Sequence, residues 1–544
     1  MATPIPNWFK DAVIYQIYPQ SFRDANGDGI GDLKGIISKL DYIQSLNVTA
    51  LWLNPIFDSP FADAGYDVRD YRKVAARYGT LDDLRELFSE AHRRGIRVLL
   101  DLVAGHTSIQ HPWFQAAVSR EETPYDNYYM FTDGENDNQH GYRFILGYGE
   151  RNGFFMSNYF YHQPALNYGF TECEPGCTWQ LPTDHPDTRR VREEMRQVMA
   201  YWLDLGCDGF RVDMASSLVR GKDKLAGVSA LWQDYSTWLR KNYPEAVLIS
   251  EWSYPSEAVN AGFDADFLMS WGGHLSDPRR GYKELFRQEK YISNSNGLCP
   301  DSPRSFFSRE SSGNTRTFSN ELQDHIAATK GKGFVSIVTG NHDLPRISRG
   351  RTIEELKIAY TAIFTLPGVP VLYYGDEIGM RYLPETGNVE GSYSRGGSRT
   401  PMQWTPGQKA GFSNAPLETF LTRPDTAPHA PNVEDQENDP SSLLNYTRSL
   451  LKLRHEHPAL SAEGEYRPVI TETADAPWIY ERIGNERFLI AINPAEKRRE
   501  ITLPGRMALA EFIRQGDVSV ENSGEGTTTL QLGPVSACVW RITP

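Results

Sequence analysis

Cysteine is scarce in this chain: five residues (Cys173, Cys177, Cys207, Cys299 and Cys538) among 544. So few, and an odd number, exclude a disulfide-built scaffold and suit a reducing compartment. Only Cys173-Glu-Pro-Gly-Cys177 forms a cluster. Without a second Cys or His pair nearby it reads as an ordinary loop rather than half a metal site. Long apolar runs are lacking as well. No stretch approaches the ~20 residues a membrane span requires, and the N-terminus shows no charged head followed by an apolar run. The expectation is a cytoplasmic protein without a membrane partner. Positive charge is in deficit: 56 Lys and Arg against 70 Asp and Glu give a net charge of −14. That balance argues against nucleic acid or an anionic surface as partner and leaves neutral ligands open. Internal repeats, heptads and low-complexity tracts are also missing.

What the chain does have is alternation. Short β-rich apolar runs at 12–18, 48–54, 97–103, 209–215, 247–252, 264–269, 334–339 and 369–374 alternate with helical patterns. Two of those helices, 80–94 and 352–365, open on the capping pairs Thr80/Asp83 and Thr352/Glu355. Eight such units predict an α/β fold, a (β/α)8 TIM barrel with its site at the C-terminal strand ends. The alternation fails after the third strand, where residues 105–183 are rich in Tyr, Asn, Gly and Phe without helical period. This predicts a small domain inserted over the barrel mouth. The barrel then occupies 1–104 and 184–458, and short β segments over 459–544 predict a C-terminal antiparallel β-sandwich.

The chemistry gathers at the predicted strand ends. Arg211 and Asp213 are two apart on one strand, so both side chains face the same way. Taking two charges out of water costs several kcal/mol, which a structural ion pair or a functional site has to offset. Tyr66 and Asp67 follow strand two, His106 strand three, Glu251 strand five, and His342 and Asp343 strand seven. Three carboxylates, two histidines and an arginine converging on one barrel mouth would be a poor structural design unless they serve a site.

The segments Asp101-Leu-Val-Ala-Gly-His106, Gly209-Phe-Arg-Val-Asp213, Ser250-Glu251-Trp252 and Gly340-Asn-His-Asp343 resemble, in order, the four motif regions of the α-amylase family of glycoside hydrolases. Gln163-Pro-Ala-Leu-Asn167, Arg399-Thr-Pro-Met-Gln-Trp404 and the loop Asp24–Asp32 are similar to its oligo-1,6-glucosidase and α-glucosidase branch. The resemblance implies a retaining exo-acting α-glucosidase that releases α-glucose from short oligosaccharides or disaccharides. Asp213 would be the nucleophile, Glu251 the acid and base, and Asp343 the third carboxylate, bracing the distorted sugar. Arg211 would hold Asp213 ionised, and His106 and His342 would bond sugar hydroxyls. Asp67 with Tyr66 would grip the terminal glucose, with Arg399 or Arg346 as the charged partner of Asp67.

The 24–32 loop places oxygen donors at alternate positions: Asp24, Asn26, Asp28 and Asp32 by side chain and Ile30 by carbonyl. This is a hard-cation pattern suited to structural calcium; magnesium suits the same oxygens, and an acidic Asx-turn loop without metal is the alternative. No organic cofactor is expected, and the protein is expected to be a monomer or homodimer. Three positions depart from the family pattern: Gly105 stands where Asn is usual, Met214 where Val or Thr is usual, and Ala165 where Asp is usual. They leave the glycosidic linkage open. An α-glucosyl transferase or isomerase using the same carboxylates is the alternative activity. A non-catalytic relative, like the amino-acid-transporter heavy chains, is disfavoured because all three carboxylates are kept.

Overall fold

The computed structural model describes residues 5–132, 141–269, 285, 305–309, 315–471, 477–523 and 526–543; Cys299 lies outside them. Eight short parallel strands carry the catalytic half: β1 (Ile14–Ile17), β2 (Ala50–Leu53), β3 (Arg97–Leu102), β4 (Gly209–Val212), β5 (Val247–Ser250), β6 (Ala265–Phe267), β7 (Phe334–Ser336) and β8 (Val371–Tyr373). Each falls within an apolar run named from sequence. Neighbouring strands pair in chain order, from Ile14 opposite Ala50 round to Ala265 opposite Phe334, and β8 pairs back onto β1. The ring closes between β7 and β8, where the Val369 and Val371 N–H groups donate to the Val335 and Ile337 carbonyls at 2.9 Å. Strands covered on both faces can be apolar throughout, which is why these runs show no alternation.

The helices cover the barrel. In α1 (Leu81–Arg93) the buried residues Leu84, Leu87, Phe88 and Ala91 follow helical spacing, and the Thr80–Asp83 capping box fixes its start. α2 (Pro186–Asp204), α3 (Lys224–Asn242), α4 (Thr315–Thr329) and α5 (Ile353–Thr365, capped by Thr352 and Glu355) repeat the arrangement, and α6 (Leu443–Glu456) closes the barrel.

Between β3 and α2 the chain leaves the barrel. It forms a short helix, Pro112–Ala117, a two-residue strand pair, Phe144–Ile145 with Phe155–Met156, and an apolar cluster of Met130, Met156, Ala165, Phe170 and Trp179. Cys173 and Cys177 pack half-buried on this cluster as part of an ordinary loop. A hairpin at 157–164, closed by the Asn158 N–H to the Gln163 carbonyl at 3.0 Å, turns back over the barrel mouth.

The C-terminal part has two antiparallel sheets. One has the order β9-β10-β11-β16-β13 (Glu465–Ile470, Trp478–Ile483, Arg487–Asn493, Ser536–Thr543, Ala508–Gln515). The other has the order β12-β15-β14 (Arg499–Pro504, Thr527–Leu532, Val518–Asn522). Ile479, Leu489, Leu503, Leu530, Leu532 and Trp540 fill the space between them. Two fully buried arginines gather carbonyls near the junction, Arg482 from this unit and Arg454 from α6 of the barrel. Arg454 donates to the carbonyls of Phe364, Leu366 and Gly368, and Arg482 to those of Thr365, Ser461 and Gly464. Burial lowers the pKa of both guanidinium groups, that of Arg454 to about 10.

Candidate active site

β4 brings Arg211 to the mouth, and its guanidinium, 1% exposed, is the centre of the site. One nitrogen lies 2.9 Å from Asp101 and 3.2 Å from Asp213; the other lies 2.9 Å from Glu251. Two residues past the strand, Met214 has a left-handed backbone at φ 43°, a conformation that costs a non-glycine residue of order 1 kcal/mol. The strain has a local use, because this turn aims the Met214 N–H at Glu251 Oε2, 2.9 Å away. Burial first, then the neighbouring carboxylate, pushes the Asp213 carboxyl well up. Burial raises Glu251 too, against Arg211, with Asp343 and Asp101 adding to the rise. Two carboxyls so placed share one proton readily, one protonated while the other is charged.

The loop carrying Glu251 is held from below. Asp266 on β6 is fully buried and accepts from the Ser250 hydroxyl at 2.7 Å and from the N–H groups of Trp252, Ser253 and Tyr254 at 2.9, 3.3 and 2.7 Å. This one carboxylate fixes the turn after β5, including Ser253 at φ 65°. Asp101 does the same for Arg211: it accepts from the Trp52 indole at 3.1 Å and the Tyr66 hydroxyl at 2.8 Å while the guanidinium lies over the Trp52 ring.

Asp343 sits across the mouth. Burial opposes its charge, but His342 and the guanidinium groups of Arg395 at 2.8 Å and Arg399 at 2.9 Å hold its carboxyl well below the usual range. The His342 ring lies parallel to Tyr66, and burial keeps it neutral. The Gln16 amide nitrogen donates to His342 Nδ1 at 3.0 Å, so the ring proton sits on Nε2, which faces Tyr66 Oη at 2.8 Å and Asp343 at 3.1 Å. His106 is likewise buried and neutral, its pKa lowered to about 4 by desolvation. Both of its ring nitrogens are bonded within the protein, Nε2 to the Tyr66 carbonyl at 3.0 Å and Nδ1 to Asn158 at 2.9 Å.

Two expectations need correction. Asp67 does not face the pocket with an arginine. It is fully buried and closes its own loop by accepting from the Ser59 hydroxyl and the Ala62 and Asp63 N–H groups at 2.9–3.0 Å. Arg346 is a scaffold residue, paired with buried Asp376 at 3.0 Å beneath Tyr373 and Tyr374. The charged wall is built instead by Asp63 and Arg395, 3.1 Å apart, with Gln163 donating to Asp63 at 2.8 Å. Asp63 lies in the same loop as Asp67, and Arg395 lies four residues before Arg399, so proximity to a motif was the signal available for both. Of the two proposed partners, Arg399 does join the site, at Asp343.

In the 24–32 loop the side-chain oxygens turn to backbone amides. Asp24 accepts from Gly27 and Gly29, Asn26 from Asp28, Asp28 from Ile30, and Asp32 from Ala25, Asn26 and Gly35. Among the described residues no group of three or more His, Cys, Asp or Glu side chains is gathered to hold a metal ion. The donor set nevertheless fits a hard cation. Asp24 and Asp32 are both buried, and burial, with Asp24 adding its charge, raises the Asp32 carboxyl, a penalty that a bound cation would reverse.

The sequence from 16 to 463 matches the model of the α-amylase catalytic domain. The chain belongs to the α-amylase family of glycoside hydrolases. Within this family it is 36% identical over 496 residues to the trehalose synthase/amylase TreS of Mycolicibacterium smegmatis, covering 85% of this chain and 78% of that one. It is 30% identical over 590 residues to the oligo-1,6-glucosidase of Parageobacillus thermoglucosidasius, covering 98% and 99%. The structure of the trehalulose synthase MutB from Pseudomonas mesoacidophila MX-45 superposes with a TM-score of 0.79 at 26% identity over 99% of this chain and all of that one. Among the described residues of this α-amylase family enzyme, no helix is long and apolar enough to cross a membrane.

The two arginines sort by variant. Arg346→Leu takes the cation away from the buried Asp376 carboxylate and is expected to lower stability by about 3–5 kcal/mol, measured as a fall in the thermal midpoint. Arg395→Ala leaves Arg399 on Asp343 and Gln163 on Asp63, and is expected to lower that midpoint less than Arg346→Leu does and to raise KM. Asp101→Asn removes a charge that raises Glu251 and frees Arg211 for Asp213 and Glu251. Both effects lower the Glu251 pKa, so the alkaline limb of the kcat/KM profile is expected at lower pH than in the native enzyme.

Proposed function

We propose that this enzyme is a retaining, exo-acting α-glucosidase that releases α-glucose from the non-reducing end of short α-glucosides. The observation that carries the proposal is Arg211 lying between two carboxyls that both titrate high, with a third carboxylate opposite held ionised by two arginines. Asp213 attacks the anomeric carbon while Glu251 gives its proton to the glycosidic oxygen. The carbon–oxygen bond breaks, the aglycone leaves as an alcohol, and a glucosyl ester remains on Asp213. Glu251, now a carboxylate, takes a proton from water, whose oxygen attacks the same carbon and frees Asp213. Two inversions restore the α configuration. Asp343 faces the sugar as a fixed negative charge and accepts hydrogen bonds from its hydroxyls, matching the positive charge that develops on the ring. The wall of Asp63 and Arg395 supports a pocket for one terminal sugar. The low cysteine count supports a cytoplasmic setting.

A second reading, an isomerase that passes the glucosyl group back to the released sugar, is favoured by relatives named trehalose synthase. Anomer-resolved NMR on maltose, isomaltose, nigerose, kojibiose, sucrose and trehalose, with Glu251→Gln as control, separates the two. Free glucose appearing first as the α anomer from one or two of them, lost in the control, is the expected result. A new disaccharide accumulating without glucose would replace hydrolysis by isomerisation, and β-glucose as first product would overturn retention.

We also propose that Asp24, Asn26, Asp28, Asp32 and the Ile30 carbonyl hold calcium, or magnesium, as a structural ion. The cation would neutralise two buried carboxylates at the point where the loop meets Ser413. Calcium at one hundred times its Kd should add about 2.7 kcal/mol of stability. The thermal midpoint is therefore expected to fall on adding a chelator and to return with calcium; no change would leave the loop as an amide-closed Asx turn.

A further inference from the structure

The hairpin over the mouth reaches the barrel through two amide side chains. Gln163 bonds Asp63, and Asn158 bonds His106, its Nδ2 donating to Nδ1 at 2.9 Å. The Asn158 amide is half-buried and also lies 3.9 Å from the sulfur of Met214, the residue after Asp213. It can occupy this place only because residue 105 has no side chain. A Cβ on Gly105 would stand 2.8 Å from Asn158 Nδ2, closer than a Cβ ever comes to such an atom. The backbone at Gly105 has no left-handed φ to explain the glycine. Space for the amide explains it.

The contact fixes more than a ring. An amide nitrogen only donates, so His106 Nδ1 must be the bare nitrogen and its proton must sit on Nε2. That proton is donated to the Tyr66 carbonyl at 3.0 Å. Tyr66 in turn places its hydroxyl between Asp101 and His342 at 2.8 Å from each. The chain from Asn158 through His106 and Tyr66 thus ends on the partners of Arg211 and Asp343.

We propose that Asn158 is a positioning residue for the reaction, admitted to His106 by the glycine at 105, and that the two positions act as one unit. A substitution at either breaks the same contact. The kinetic part rests on the α-glucosidase reading above; the structural part does not.

A double-mutant cycle in the full chain tests it. Asn158→Ala deletes the donor, and Gly105→Ala expels it by steric overlap. Each is expected to lower kcat/KM about tenfold on whichever α-glucoside the native enzyme cleaves, the size of one lost buried hydrogen bond. The double variant is expected to be no worse than either single one. Losses that multiply to about a hundredfold would overturn the unit. The crystal structure of Gly105→Ala is expected to show the Asn158 amide turned away from His106; an amide still at Nδ1 would overturn the proposal whatever the activity. Asn158→Asp separates positioning from mere packing. A carboxylate facing Nδ1, added to the pull of Asp63 and against His162, the other groups acting on the ring, draws a proton onto it. The acid limb of the pH profile should then move to higher pH, whereas an unmoved profile would count against control of the ring through this contact. A native enzyme inactive on every α-glucoside would overturn the function and leave the exchange of amide for side chain to the crystal structure.

Discussion

The buried guanidinium of Arg211 is the constraint on which the site depends. Around it stand Asp101, Asp213 and Glu251, three carboxylates to one positive charge. Burying that excess is costly, and the cheapest relief is a proton kept on the Asp213–Glu251 pair. Across the mouth the charges balance, with Arg395 and Arg399 both on Asp343 and Arg395 also on Asp63. One side of the pocket therefore retains a proton that can be given away, and the other retains a carboxylate that cannot be neutralised. Under the proposed mechanism, a sugar passing through a positively charged transition state takes up that proton and is stabilised by that carboxylate, with both arranged before it binds.

Holding such a pattern requires that no member can turn aside. The short barrel strands give the ends, but the side chains are set by buried polar groups behind them. Trp52, Tyr66 and Asn54 order Asp101, Gln16 sets the His342 tautomer, and Asp266 clamps the backbone that carries Glu251. Hydrogen bonds among them offset much of their cost of burial and hold the site rigid.

The eight strands and the residues fixed to their ends were legible in the sequence because each motif is contiguous: Arg211 and Asp213 lie on one strand, and a strand end can point only one way. The pocket wall was not legible. Asp63 and Asp67 stand four apart in one loop, and what turns the first outward and the second inward is the left-handed pair Ala64 and Gly65, at φ 52° and 102°. Sequence proximity likewise favoured Arg346, three residues after Asp343, over Arg395, which reaches that carboxylate from a separate turn, Tyr393–Ser398, after β8. In the C-terminal sheets, Trp478–Ile483 and Arg487–Asn493 were readable as buried apolar runs. Glu465–Ile470, Arg499–Pro504 and Val518–Asn522 were not, because each lies at the edge of its sheet and alternates exposed polar residues with few buried ones.

Under the proposed mechanism, hydrolysis and glucosyl transfer share one ester and one acid, so the three carboxylates do not decide between them. The decision lies in what reaches the anomeric carbon after the aglycone has moved, and that is set by the mouth. Two segments frame it: the turn carrying Arg395, tied at once to Asp343 and Asp63, and the hairpin carrying Asn158 and Gln163, tied to His106 and Asp63. Both end on Asp63, so opening either loosens the anchor of the other. A mouth built this way ties both segments to one ionic anchor, Asp63, which stands apart from the carboxylates proposed to carry the chemistry.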